Sequence, residues 1–232
     1  MYLYKMATIK KESIDFLKAL SKNNNRDWFS KHKPKYEKAH ENMIAFADAL
    51  LVEMNKHDHI ETASGKKSLY RIYKDVRFSK DKTPYSTYWG GGFRRATKQL
   101  RGGYYFHIEP GNTYLAGGFF APSTDDLQRI RQDIDLNYDV WRKMLSQKTL
   151  VNTFGKLNGS QLTSAPRGYA KDHPAIDLLR YKQFFLKHKF TDKDICSPDF
   201  VHKVNDAFKK LRPYFNYMSE VLTTDTNGVS IL

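Results

Sequence analysis

The stretch that decides the fold is residues 103–120, GYYFHIEPGNTYLAGGFF. Its two halves, 104–109 and 113–120, are rich in aromatic and aliphatic residues, which is typical of β-strands. Between them, Pro110-Gly111-Asn112 has the composition of a tight turn. An antiparallel hairpin is therefore predicted in the middle of the chain. The two glycines at 117 and 118 predict a bulge or the close approach of another backbone.

Helical patterns flank this hairpin on both sides. Apolar residues recur with the 3.6-residue period over residues 10–22 and, most clearly, over 35–56. Downstream, a helix is predicted after Pro122 with Ser123 or Thr124 as its N-cap. Further helices are predicted over 138–145 and 197–222, the last with a kink at Pro213. A strand is predicted over 183–190, and residues 149–172 are predicted to form short strands and loops.

This order of elements predicts an α+β fold, with a mainly antiparallel sheet from the middle of the chain packed by N- and C-terminal helices. No internal repeat or linker-like segment interrupts the sequence. We therefore expect a single domain over residues 1–232, with residues 1–8 and 224–232 peripheral or frayed. Residues 69–73 are predicted to be a strand, and the glycines at 90–92 a flexible turn.

Charge is concentrated in one part of the chain. The 39 Lys and Arg residues exceed the 25 Asp and Glu residues, for a formal net charge of +14. Segment 66–101 carries eleven of the cations and only two of the anions. Such an excess favours anionic partners, namely nucleic acid, phosphorylated small molecules or an acidic surface. The alternative is a basic, solvated surface with no dedicated partner.

The densest charge pattern is residues 69–85, LYRIYKDVRFSKDKTPY. Arginine presents a planar fork that holds a carboxylate or phosphate at two points. We expect Arg71, Arg77 and Lys82 to converge on one anion, with Tyr85 beside them.

The two carboxylates of this stretch, Asp75 and Asp81, are candidates to orient the cations or transfer a proton. The alternative is that they form an internal ion-pair network with no ligand.

A second charged loop covers residues 165–174. It offers Arg167 as another anion contact and His173 as a general acid or base, because imidazole titrates near neutral pH. The two loops together are predicted to form one basic pocket. The alternative for His173 is that it caps the helix that begins at Pro174.

Four segments together resemble an uncharacterised family called domain of unknown function 2461. They are the run from Arg71 to Tyr85, the motif at 25–29, the strand at 103–110, and residues 166–174. The resemblance covers roughly residues 14–222 and supports one domain. It implies no activity, cofactor or catalytic role, because none is established for the family.

Other motifs exclude several classes of protein. The sequence contains no phosphate-binding loop, no dinucleotide fingerprint and no zinc-ligand spacing, so no metal site is predicted and any cofactor is unknown. No apolar run is long enough to span a membrane. A single cysteine, Cys196, cannot form an internal disulfide, which fits a cytoplasmic location. The oligomeric state is not encoded in these patterns.

Three functions remain open from the sequence. The first is a protein, catalytic or not, that binds a phosphorylated or other anionic ligand in the basic two-loop pocket. The second is a nucleic-acid-binding module that uses segment 66–101, with Tyr85, Tyr88, Trp89 and Phe93 for stacking. The third is a structural protein in which the arginines and aspartates satisfy one another.

Overall fold

The computed structural model describes residues 7–96, 98–225 and 227–232. The helices within these ranges are α1 (Lys11–Lys22), α2 (Arg26–Lys31), α3 (Lys33–Met54), α4 (Gly65–Ser68), α5 (Thr124–Leu136), α6 (Tyr138–Leu145), α7 (Lys148–Phe154), α8 (Ile176–Leu179), α9 (Asp192–Ile195), α10 (Phe200–Lys210) and α11 (Arg212–Thr223). The strands are β1 (Trp89–Arg94), β2 (Gly103–Ile108), β3 (Tyr114–Phe119) and β4 (Phe184–Lys189).

The strands form one four-stranded antiparallel sheet in the order β1-β2-β3-β4. The predicted α+β class, with its sheet in the middle of the chain and helices on either side in sequence, is confirmed. The predicted hairpin at 103–120 is present as β2 and β3. The expected flexible turn at 90–92 is wrong, because these glycines lie within β1. Glycine is a turn signal locally, but here pairing and packing place it in a strand.

By packing, the chain falls into two compact units. Unit 1 comprises 1–94, 105–115 and 189–206, and unit 2 comprises 95–104, 116–188 and 207–232. This division does not test whether either unit folds alone, so a single domain stays a prediction. The expectation for residues 1–6 lies outside the described residues.

Unit 1 is built on the long helix α3. Phe46 of this helix is fully buried, and its ring centroid lies 5.6 Å from that of Phe106 and 5.7 Å from that of Phe200. Helix α4 approaches α3 so closely that a Cβ on Gly65 would lie 2.5 Å from the backbone nitrogen of Asp48. Only glycine fits this position. The close packing of α4 on α3 brings the segment that follows α4 next to the sheet.

Unit 2 packs helices α5, α6 and α11 around buried hydrogen bonds. One carboxylate oxygen of Asp133 accepts from the indole nitrogen of Trp141 and from the hydroxyl of Tyr217, both at 2.7 Å. Arg95 is 1% exposed, and its guanidinium donates to the carbonyl oxygen of Arg101 and the side chain of Ser219. These bonds satisfy polar groups that would otherwise destabilise the core.

Two secondary-structure predictions need correction. Residues 148–154 form helix α7 where loops or short strands were expected. The helix predicted over 197–222 is two helices, because the chain breaks at Leu211 with Pro213 in the first turn of α11. The tail carries one isolated bridge, between Thr224 and Ser230, and its peripheral or frayed character stays a prediction. The N-cap at Ser123 is confirmed, since its side chain accepts from the Asp126 amide at 3.1 Å.

Candidate functional site

Residues 69–86 of unit 1 form an irregular hairpin, which we call the cation hairpin. An antiparallel bridge joins Tyr73 to Tyr85, and the Lys74 amide donates to the carbonyl oxygen of Pro84 at 2.9 Å. The predicted strand at 69–73 is therefore reduced to isolated bridges, and residues 77 and 78 lie in a turn. Asn24 anchors the hairpin, since its side chain exchanges two hydrogen bonds with the backbone of Tyr85.

Most charges of the cation hairpin are paired within it. The guanidinium of Arg77 lies 2.6 Å from Asp75, and the ammonium of Lys74 lies 2.6 Å from Asp81. The hydrogen bond from Arg77 lowers the pKa of Asp75. The hydrogen bond from Lys74 lowers the pKa of Asp81 to about 2. Lys82 donates to the carbonyl oxygen of residue 76 at 3.0 Å.

The other predicted ligand contact in the hairpin, Tyr85, is 4% exposed. Its ring is stacked on Phe29 with centroids 4.0 Å apart, and burial raises the pKa of its phenol. Trp89 and Phe93, expected to stack on bases, are 2% and 1% exposed. These rings are therefore part of the core and not available to an outside base. Arg71, by contrast, is exposed, and no hydrogen bond or ion pair joins it to another described residue.

The second predicted loop belongs to unit 2. There, Nδ1 of His173 accepts from the Ala175 amide at 3.0 Å, and Nε2 lies 2.9 Å from a carboxylate oxygen of Asp135. Helix α8 begins at Ile176, after Ala175 as its N-cap residue, and not at Pro174, so the predicted capping role of His173 stays a prediction. Arg167 is exposed. The proton-transfer role of His173 and the anion-binding role of Arg167 stay predictions.

A different set of residues in unit 1 brings phenols, an imidazole and a carboxylate together. It lies on one face of the sheet, and we call it the tyrosine face. Its members are Tyr70, Tyr88, Tyr105, His107, Glu109 and Tyr114. Three of them, residues 105, 107 and 109, alternate along β2 and its C-terminal extension, so that their side chains point the same way.

Hydrogen bonds link three of these side chains in series. The hydroxyl of Tyr105 lies 3.0 Å from Nδ1 of His107, and Nε2 of the same imidazole lies 2.9 Å from a carboxylate oxygen of Glu109. Burial acts to raise the pKa of Glu109, but hydrogen bonds from His107 and Asn112 outweigh it and the pKa lies below its ordinary value. An ionised carboxylate accepts only, so Nε2 carries the proton and Nδ1 accepts from the phenol.

The imidazole is held in place by aromatic rings. The rings of Tyr88 and Tyr114 stack against His107, with centroid distances of 4.2 and 4.6 Å. The side chain of His107 is 8% exposed, and both of its nitrogens are engaged. His107 is therefore a positioning residue, and the hydroxyl of Tyr105 is the group that this chain presents outward.

The phenols on the tyrosine face are hydrogen-bond donors at neutral pH. Burial raises the pKa of Tyr70, Tyr105 and Tyr114, so each hydroxyl keeps its proton. The hydroxyls of Tyr105 and Tyr114 are also hydrogen-bonded to one another. Protonated phenols in such a position can donate to an anionic oxygen of a ligand.

Gly90 of β1 forms the floor of the tyrosine face. A Cβ at this position would lie 3.1 Å from Tyr88, 3.2 Å from the hydroxyl of Tyr105 and 3.3 Å from Tyr70. Gly90 is buried, and a side chain at this position would be crowded on three sides. Glycine therefore lets the rings of Tyr70 and Tyr88 and the hydroxyl of Tyr105 pack directly over the backbone of β1.

The comparison with known families agrees with the resemblance of the sequence motifs. A family described as a conserved hypothetical protein (DUF2461) matches residues 12–217. The chain belongs to the DUF2461 family. No curated protein and no solved structure matches it.

The tyrosine face of this DUF2461 chain was not predicted from the sequence. The sequence predicted a candidate site at the charged pattern 69–85, and it predicted only a strand for the residues of β2. A signal was present, because Tyr105, His107 and Glu109 are polar or titratable residues at every second position. Period-two alternation places such residues on one face, but it does not identify their partners on other strands.

A groove in unit 1 lies elsewhere, beside α1 and α3. Its volume is about 1170 Å³, and its lining includes a stacked pair formed by Trp28 and His32. Three lysines and three carboxylates share the lining, so its charge favours neither sign: Lys10, Lys35, Lys38, Glu12, Asp15 and Glu41. Size alone therefore does not make it the chemical site of this DUF2461 protein.

Two features are absent from the described residues of this DUF2461 chain. In 7–96, 98–225 and 227–232, no three His, Cys, Asp or Glu side chains are grouped so that they could hold a metal ion. Within the same ranges, no helix combines the length and apolarity that crossing a bilayer requires.

Proposed function

We propose that unit 1 is a catalytic body that performs acid–base chemistry on a small anionic ligand bound at the tyrosine face. The observation that carries this proposal is the hydrogen-bonded series of Tyr105, His107 and Glu109, with the hydroxyl of Tyr105 packed over the backbone of Gly90. Hydroxyl, imidazole and carboxylate stand in the same order as in hydrolytic triads, with a phenol in place of serine.

The arrangement supports one specific proton transfer. The phenolic proton of Tyr105 points to Nδ1 of His107, and its oxygen also bonds the hydroxyl of Tyr114. In this proposal a proton of the ligand takes the place of the Tyr114 hydroxyl at that oxygen. When the ligand loses that proton to Tyr105, the phenolic proton moves to Nδ1. The resulting imidazolium lies beside the carboxylate of Glu109, which stabilises its charge. The ligand gains one negative charge, and the imidazole gains one positive charge.

Two further phenols support the anionic half of the proposal. The hydroxyls of Tyr70 and Tyr88 make no hydrogen bond to any residue in the described ranges. Both rings pack over the backbone of Gly90. Both hydroxyls can donate hydrogen bonds to the negative oxygen that develops on the ligand. Stabilisation of such a developing charge is usually the largest single contribution to catalysis.

The sequence predicted that the cations of the hairpin bind the ligand, but this proposal gives them no direct contact with it. Arg77 and Lys82 are engaged within the hairpin, so the direct ligand contacts come from phenols. A cytoplasmic site of action is part of the same proposal, and it is supported by the single cysteine, Cys196.

The relay can be tested without knowing the substrate. An arylsulfonyl fluoride transfers its sulfonyl group to a phenol oxygen, fluoride leaves, and the phenolic proton needs a base. We expect Tyr105 to react about 100-fold faster than Tyr73, in line with the effect of a positioned base. Tyr73 is a matched control, because it is 56% exposed and its ring neighbours among the described residues are Phe29 and Tyr85, with no imidazole beside it.

Mass spectrometry of the labelled protein reads the result. His107→Gln should reduce labelling of Tyr105 to the level of Tyr73, and inorganic phosphate should slow labelling of Tyr105 alone. Equal rates at the two tyrosines in the unsubstituted protein would refute the relay. Labelling that phosphate does not change would leave the relay in place but refute the anionic ligand.

A further inference from the structure

We propose that the cation hairpin is a docking surface for single-stranded nucleic acid. This interaction is separate from the chemistry at the tyrosine face. It is carried by two features of residues 69–86, namely the exposure of the rings of Tyr73 and Phe78 and the presence of exposed cations that form no hydrogen bond or ion pair with a described residue.

The aromatic rings are exposed to an unusual degree. Phe78, in the turn of the hairpin, is 95% exposed, and Tyr73 is 56% exposed. Covering an apolar ring that lies almost entirely in water is favourable, because it removes apolar surface from water. The ring of Phe78 is held beside Arg77, whose guanidinium carbon lies 6.0 Å from the ring centroid. This places a flat apolar surface and a positive charge at the same point.

Two cations of the hairpin are available to a partner. Arg71 and Lys80 are exposed and form no hydrogen bond or ion pair with any described residue. The ion pair between Arg77 and Asp75 is also solvent-exposed, with 77% and 57% of the two side chains accessible. Exposed pairs contribute little stability, so a phosphate can displace the carboxylate at small cost.

The hairpin is rigid enough to present these groups in a fixed order. Its base is held by the two hydrogen bonds between Asn24 and the backbone of Tyr85, at 2.8 and 3.1 Å. Near its turn, the ammonium of Lys74 donates to Asp81 and to the hydroxyl of Thr83. Binding therefore requires little ordering of the backbone, which lowers its entropic cost.

The chemistry of the surface favours a single strand over other acidic partners. Exposed rings alternating with cations match a chain of unpaired bases and phosphates, because bases stack on the rings while phosphates contact the cations. In a duplex the bases are already stacked on one another. An anionic membrane would favour apolar residues gathered at one depth, whereas Tyr73 and Phe78 are separated along the hairpin and Tyr73 carries a polar hydroxyl.

Fluorescence anisotropy with a labelled, mixed-sequence single-stranded oligonucleotide tests the proposal. We expect binding at low salt that weakens as salt rises. Phe78→Ala should weaken binding about tenfold through loss of stacking. Arg71→Glu combined with Lys80→Glu should reduce the slope of log Kobs against log salt by about 1.4, because each lost phosphate contact on a single strand contributes about 0.7.

The matched control changes the net charge by the same amount, but at residues of unit 2. Lys143→Glu combined with Lys209→Glu alters two exposed lysines and should leave the salt slope unchanged. Circular dichroism checks the fold of every variant, and the exposure of Phe78 makes unfolding of Phe78→Ala unexpected. The proposal is overturned if the single strand does not bind at low salt, or if Phe78→Ala binds normally.

Three other outcomes also overturn it. If the control pair weakens binding as much as the hairpin pair, attraction comes from the net charge of the whole protein and not from the hairpin. If vesicles containing phosphatidylserine bind and the oligonucleotide does not, the partner is a membrane. Preference for a duplex of the same sequence over the single strand contradicts the stacking argument. None of these results affects the labelling of Tyr105, so the proposed function is tested separately.

Discussion

Two neighbouring glycines of β1 face opposite sides of the sheet, and we predict that alanine at each position has a different effect. A Cβ on Gly90 would lie 3.2 Å from the hydroxyl of Tyr105, on the tyrosine face. A Cβ on Gly91 would lie 2.3 Å from Cζ of Phe106, on the core side. The first change should impair the candidate site and the second should impair stability.

The magnitudes follow from how far each neighbour must move. Phe106 is 1% exposed and packs against Phe46 and Phe93, so its ring cannot retreat freely. Carbon atoms make favourable contact at roughly 3.5–4.0 Å, so Gly91→Ala forces a shift of about 1 Å or more. Overpacking of this kind costs about 1–3 kcal/mol. At about 2–4 °C per kcal/mol, the Tm should fall by about 5 °C.

Gly90→Ala should be much milder for stability. The rings beside Gly90 are only partly buried and need to move by a few tenths of an ångström. Alanine also loses less conformational freedom on folding than glycine, which offsets about 0.5–1 kcal/mol of the crowding. We expect a Tm within about 2 °C of the unsubstituted protein. The same alanine should strongly reduce sulfonyl labelling of Tyr105, because its Cβ crowds the hydroxyl.

Differential scanning calorimetry and the labelling assay together test this pair. Gly91→Ala serves as the control for labelling, and Gly90→Ala as the control for stability. The reasoning fails if both variants lose the same Tm. It also fails if Gly90→Ala leaves the labelling rate of Tyr105 unchanged, since a Cβ at position 90 would then not crowd this hydroxyl.

Two other predictions concern charged groups. Lys74→Ala should raise the pKa of Asp81 from about 2 part of the way to its ordinary value of 3.8, because hydrogen bonds from Thr83 remain. Because the carboxyl pKa is lowered in the folded state, Asp81 stabilises the fold at pH values above its ordinary pKa, and this contribution is lost as the pH falls through about 2. An NMR titration in which the pKa of Asp81 does not change in Lys74→Ala would contradict the prediction. Arg95→Ala should lower the free energy of unfolding by about 3 kcal/mol, because buried acceptors lose their donor. In urea denaturation, the exposed neighbour Arg94 is the control, and its replacement by alanine should cost less than about 1 kcal/mol.

Local signals predicted most of the secondary structure. The turn at 110–112 and the strands beside it follow from composition and alternation, and the start of α5 follows from the N-cap at Ser123. Residues 90–92 were the instructive failure. Three glycines predict a turn from local preference, but in β1 a glycine is required at position 91, because the ring of Phe106 fills the space that a side chain would occupy.

The sequence predicts a ligand site at the charges of residues 69–85, which stays a prediction, and it does not predict how these charges pair with one another. Lys74 and Asp81 are seven residues apart, and only the turn between them brings their charged groups to 2.6 Å. Tyr85 was expected at a ligand and is packed on Phe29, which lies more than fifty positions earlier in the chain. Sequence spacing does not specify such contacts, because they depend on how helices and loops pack.

The amino-acid sequence by itself determined the class of fold, the central hairpin, the concentration of positive charge and membership of the family, since these depend on local preference and composition. Only the tertiary structure decided which charges are paired, which aromatic rings are exposed and where a phenol, an imidazole and a carboxylate meet. The physical reason is range. Backbone preferences act over a few residues, whereas the contacts beside His107 join rings from β2, β3 and the segment before β1, and those contacts form only when the sheet does.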